Sequence, residues 1–103
     1  MVYTLEELKE KVIPIAEKHH LSKVYLFGSY ARNEADKDSD VDLVVDQEGG
    51  DYFSVYCDYL DVFGENVDVL PLSTLLNPNT NIGHLVKQNF LKERVLLYEG
   101  SQY

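Results

Sequence analysis

Val24-Tyr25-Leu26-Phe27-Gly28-Ser29-Tyr30-Ala31-Arg32 begins as an apolar, β-branched and aromatic run and breaks at Gly28-Ser29 into a helix start. After a gap of ten residues beyond Ser29 the same texture returns in Asp40-Val41-Asp42-Leu43-Val44-Val45. A third acid, Asp68, sits inside Asn66-Val67-Asp68-Val69-Leu70. Short apolar runs bounded by turn residues read as strands, so strands are expected over residues 23–27, 40–46 and 67–70, the last closed by Pro71. The Gly-Ser step offers a grip for phosphate, and the acids beside it offer oxygen ligands for a divalent metal. Together they point to chemistry on a nucleoside triphosphate.

Working outward, Thr4 and Glu7 form a Thr-x-x-Glu capping box, and Leu5, Leu8, Val12 and Ile15 recur at helical spacing. Pro14 inside that run removes a backbone donor, so a kink is expected there. Ser29 is expected to cap a short helix from Tyr30 to about Glu34, with a charged loop over residues 35–39. Asp51 is a good cap for a helix with Phe53, Tyr56, Leu60 and Phe63 on its apolar face. Tyr52 and Tyr59 are expected on the partly exposed flank, and Gly64 suits the end of that helix. Ser73 starts a single helical turn, and Asn77-Pro78-Asn79-Thr80-Asn81 is a loop. Ile82, Leu85, Val86 and Phe90 mark a last helix, and residues 95–98 an edge strand. Helices alternating with strands argue for one α/β (α+β) layer pair, a β-sheet flanked by helices.

The chain has 103 residues, room for one domain spanning 1–103 and no second core. A 45% hydrophobic content excludes a disordered chain, and no apolar run reaches the length of a membrane span. The first residues lack the pattern of a secretory signal. A single cysteine, Cys57, cannot close an internal disulfide and suits a cytoplasmic setting. The net charge is −9, with only nine Lys and Arg, scattered along the chain. Direct nucleic-acid binding is disfavoured by that balance, whereas a triphosphate with its metal ions, or a basic protein partner, is not.

On a strand, alternate residues share a face, so Asp40 and Asp42 point the same way, about 7 Å apart, while Val41 and Leu43 enter the core. Asp36 and Asp38 repeat the Asp-x-Asp spacing, but only Asp40-x-Asp42 runs into an apolar strand, where a carboxylate needs a partner or a metal. An EF-hand fails in both registers. From Asp36, loop positions six and twelve hold Val41 and Gln47; from Asp38, Leu43 and Gly49. Asp68 joins the other two acids if its strand lies beside theirs, and one of the three then accepts a proton from an attacking hydroxyl or ligates a second metal. Gly28 lets backbone approach a phosphate, and the helix start behind it offers free N–H groups. There is no Walker A lysine and no Gly-x-Gly-x-x-Gly. Arg32 reaches either a phosphate or one of Glu34, Asp36 and Asp38. His19, His20 and His84 lack metal-ligand spacing and read as solvated.

Gly28-Ser29 followed by Asp40-Val41-Asp42 resembles the signature of the polymerase-β-like nucleotidyltransferases. More narrowly, Phe27-Gly28-Ser29-Tyr30-Ala31-Arg32 and Ser39-Asp40-Val41-Asp42-Leu43 resemble the minimal nucleotidyltransferases. The resemblance implies a small mixed sheet with the active site at one edge, two Mg²⁺ ions and ATP as donor. It implies that Gly28 and Ser29 hold the triphosphate, that Asp40 and Asp42 hold metal, and that Asp68 is the third carboxylate. Many such proteins are antitoxins that attach AMP to a tyrosine of a HEPN-type toxin, alone or in a hetero-oligomer with it. An antitoxin that merely masks its partner and an enzyme modifying a small molecule are the competing readings. The family often places Gly after the motif arginine; here it is Asn33, which tolerates a left-handed backbone.

Overall fold

The structure, a computed structural model, describes residues 2–47 and 51–100. In chain order the elements are α1 (Leu5–Lys18), β1 (Lys23–Phe27), α2 (Gly28–Ala31), β2 (Val41–Asp46), α3 (Tyr52–Phe63), β3 (Val67–Pro71), α4 (Leu72–Leu76), α5 (Asn81–Glu93) and β4 (Val95–Glu99). The strands form one mixed sheet in the order β3-β2-β1-β4. β1 runs antiparallel to both β2 and β4, and β2 runs parallel to β3.

A parallel pair needs a crossover, and α3 supplies it. Strand alternation decides what each face receives. Val41, Leu43 and Val45 of β2, Val67 and Val69 of β3, and Val24 and Leu26 of β1 are buried on one face under α1 and α3. Tyr25 and Val44 point to the other face and meet Leu75 of α4 and Phe90 of α5. Phe90 is fully buried and stands edge-on to Tyr25 at 5.4 Å and to Phe27 at 5.7 Å. That aromatic cluster seats α5 over β1.

The capping box at α1 forms as expected, with the Thr4 side chain on the Glu7 N–H and the Glu7 carboxylate on the Thr4 N–H. Helix α1 continues unbroken through Pro14. Asp51 caps α3 by accepting from the N–H groups of Phe53 and Ser54. Asn33 adopts φ 58°, the left-handed conformation its side chain tolerates.

Several expectations shift. Helix α2 begins at Gly28 with Phe27 as its cap residue, so Ser29 lies in the first turn and is not the cap. Strand β2 begins at Val41, leaving Asp40 exposed just before it. In α3 the buried stripe is Val55, Tyr59 and Phe63, at i, i+4 and i+8, and Phe53 is 69% exposed. Tyr59 is fully buried and donates its hydroxyl to the Val12 carbonyl of α1 at 3.1 Å. His19 is not simply solvated: its Nε2 lies 2.6 Å from Asp58 Oδ2, tying the end of α1 to α3.

Candidate active site

One row of backbone partners crosses the sheet. Phe27 at the end of β1 pairs with Asp42 of β2, and Asp42 pairs with Asp68 of β3. Paired residues of adjacent strands share a face, so Asp42 and Asp68 both stand on the α4/α5 side. Gly28 follows Phe27 directly and closes the row from the β1 end. At Gly28 the backbone has φ +75°, and a Cβ there would overlap the Asp42 carboxylate. Two requirements therefore converge on glycine: a conformation that L side chains rarely adopt, and a backbone pressed against a carboxylate.

The electrostatics identify the same cluster. Burial first, then the charges of Asp68 and Asp40, push the Asp42 carboxyl up to about 6, against a smaller downward pull from Arg32. Asp68 and Asp40 therefore both act on Asp42, with Asp40 reaching it from the exposed approach to β2. Arg32 is held by two carboxylates, Glu34 at 3.1 Å and Glu93 at 3.2 Å. Those bonds raise its pKa above the ordinary arginine value. The pairing with Glu34 was among the sequence alternatives. The one with Glu93 of α5 was not, because nothing local in the sequence brings residue 93 to residue 32.

A second residue escapes sequence reading. The Tyr52 hydroxyl donates to the Val69 carbonyl, one residue beyond Asp68, and pins α3 to β3. Burial, followed by Tyr56 and Asp68, raises its phenol above the usual value. Tyr52 and Tyr56 lie in tilted contact, with ring centroids 6.5 Å apart.

Among the described residues, no three His, Cys, Asp or Glu side chains are drawn together into a ready-made metal site. The donor chemistry nonetheless fits a hard cation. The groups are carboxylates, Mg²⁺ prefers oxygen ligands, and Asp42 is raised by burial and by neighbouring negative charge that Arg32 offsets only in part.

Residues 10–103 match the family described as Polymerase beta, Nucleotidyltransferase. The chain belongs to that nucleotidyltransferase family. A Methanocaldococcus jannaschii protein named “Putative protein adenylyltransferase” is 36% identical over 95 residues, covering 88% of this chain and 95% of the relative. Among solved structures, one described as a “putative minimal nucleotidyltransferase” superposes with a TM-score of 0.61 at 28% identity, covering 90% of this chain and 95% of that one. The fold also matches a Shewanella oneidensis complex of a tri-AMPylated HEPN toxin with its MNT antitoxin, with a TM-score of 0.62 at 19% identity, covering 96% of this chain and 75% of that one. The mixed sheet flanked by helices is the fold shared with these relatives.

Proposed function

We propose that this nucleotidyltransferase moves AMP from ATP to a tyrosine hydroxyl of a partner protein, a HEPN-type toxin, and thereby acts as its antitoxin in the cytoplasm. The observation that carries the reading is the row Gly28–Asp42–Asp68, which sets a close-approach backbone at one end of a carboxylate pair. The named relative and the antitoxin complex support the choice of a protein acceptor.

Gly28 and Ser29 receive the triphosphate through backbone N–H groups, and Arg32 turns from Glu93 toward a phosphate. Asp40, Asp42 and Asp68 would hold Mg²⁺, which, when bound, neutralises charge on the phosphates. Asp68 accepts the proton of the attacking hydroxyl as the new O–P bond forms at the α-phosphorus and pyrophosphate departs. Asp42 is half-buried, and the reduced access of water on that side strengthens the electrostatics of the site.

The test mixes the protein with labelled ATP and the product of the neighbouring gene. Label is expected on a partner tyrosine and is lost in Asp40→Ala and Asp42→Ala. Absence of label, or its persistence in those variants, refutes the reading. Masking without catalysis has one observation in its favour: Ile82 and Leu85 of α5 are 78% and 56% exposed and present an apolar surface. Full protection of cells by Asp42→Asn would decide for masking.

A further inference from the structure

The carboxylate row does not end at Asp68. Two residues on, Leu70 emerges on the same face of β3 and is 43% exposed. It forms the floor of a cleft of about 460 Å³ walled by α4, the 77–80 loop and the start of α5. Thr74, Asn77, Asn79, Thr80 and Val86 are among the residues that line it, and no lining residue carries a charged side chain. At Gly83 a Cβ would come within 2.8 Å of Pro78, so the loop lies tight against α5 and the cleft keeps its outer wall.

In-line displacement at phosphorus fixes which substrate this cleft can serve. The nucleophile enters opposite the leaving group. With pyrophosphate at Gly28–Ser29 on the β1 side, entry is from the β3 side, two strand spacings or about 10 Å across the sheet. The larger cavity, about 550 Å³, is lined by Leu8, Leu26, Tyr30 and Val95. Leu8 and Leu26 belong to the core under α1, on the opposite face from the carboxylates, so it is on the wrong side of the sheet to serve them.

We propose that the Leu70–Asn79 cleft is the acceptor subsite and that it takes a neutral aromatic hydroxyl side chain from an exposed segment of the partner protein. This rests on the transfer reading above. Leu70, Val86 and Leu75 offer apolar surface for a ring, and the Asn and Thr side chains offer neutral donors and acceptors, the usual make-up of a specificity pocket. A ring lying over Leu70 directs its hydroxyl back along β3 to Asp68. The acceptor oxygen bonds to the α-phosphorus, the bond from that phosphorus to the β-phosphate bridging oxygen breaks, the hydroxyl proton passes to Asp68, and the electron pair leaves with pyrophosphate.

The subsite is tested by binding, apart from catalysis. N-acetyl-tyrosinamide titrated into isotope-labelled protein is expected to shift the resonances of Leu70, Thr74, Asn77, Asn79 and Val86, with or without Mg-ATP. Leu70→Arg and Thr74→Trp, both at solvent-facing positions, are each expected to weaken that binding at least fivefold. With the partner as substrate, the same variants raise the acceptor KM at least tenfold and leave the ATP KM unchanged. Shifts that map elsewhere, displacement of the probe by ATP, or wild-type acceptor KM in both variants would overturn the subsite. Binding in the cleft without label transfer by the wild-type protein would instead refute the transfer reading, and with it the acceptor role, and leave the cleft as a binding site for an aromatic side chain.

Discussion

The backbone of Gly28 is pressed against the carboxylate of Asp42, with no room for a Cβ between them and a φ of +75° that disfavours one. The contact joins the turn at the end of β1 to the carboxylate strand, so a change at either residue is felt at the other.

Gly28→Ala is the direct probe of that contact. The added methyl strains the backbone and displaces Asp42, and is expected to destabilise the fold by about 1–3 kcal/mol. Urea unfolding measures this. A midpoint equal to that of the wild type would show that the approach is looser than described.

Asp42→Asn is expected to stabilise the protein while it abolishes transfer. Folding raises this carboxyl from 3.8 to about 6. Between those values the unfolded chain has released a proton that the folded chain retains, so stability falls as pH rises from about 4 to 6 and stays lower above that. The group is only partly buried, and screening reduces the penalty to about 1 kcal/mol. Thermal melts should place the variant about 4–8 °C above the wild type at pH 8, with no gap at pH 4. Millimolar Mg²⁺ should raise the wild-type Tm at pH 8 and leave that of the variant unchanged. Equal melts for the two proteins at pH 8 would contradict both the buried charge and its relief by a cation.

Tyr59 predicts an alkaline limit. Burial, with Tyr98 and Asp58 adding to it, holds its phenol well above the usual tyrosine value. The unfolded chain therefore loses this proton first, and stability drops as pH climbs through about 10. Tyr59→Phe should cost about 1 kcal/mol at neutral pH, through the lost bond to Val12, and should flatten the alkaline decline. Unfolding midpoints between pH 8 and 11 read both effects; an equally steep decline in the variant would count against the assignment.

Arg32 separates structure from function. It lies at the surface, and its bonds to Glu34 and Glu93 are surface pairs, whose contribution to stability is small. Arg32→Ala should leave the unfolding midpoint unchanged and raise the ATP KM roughly tenfold. Glu93→Gln, which releases the guanidinium, should lower that KM. A lower midpoint with an unaltered KM would make Arg32 a tether between α2 and α5 instead.

Much of this was legible in the chain because the signals are local. Alternation in Val41-Asp42-Leu43 and Val67-Asp68-Val69 fixes which side chains enter the core, and the capping box at Thr4–Glu7 needs only four consecutive residues. What failed depends on packing partners. Helix α3 carries apolar side chains nearly all round, so two stripes fit the helical period; contact with α1 selects Val55–Tyr59–Phe63 and leaves Phe53 to solvent. The Arg32–Glu93 pair and the Leu70 cleft join segments far apart in sequence, and no spacing rule encodes them. The 77–80 segment reads as a loop and nothing more until α5 packs beside it.

The parallel pairing of β2 with β3 makes the site all-or-nothing with respect to alignment. Sliding β3 by one position would turn Asp68 into the core under α1 and α3 and lift a valine into its place. Lengthening the connections on either side of α3 leaves that alignment intact, whereas inserting one residue within β3 ahead of Asp68 reverses its side. Related chains should therefore vary in length around the crossover helix and keep an invariant count between the first paired residue of β3 and its acid.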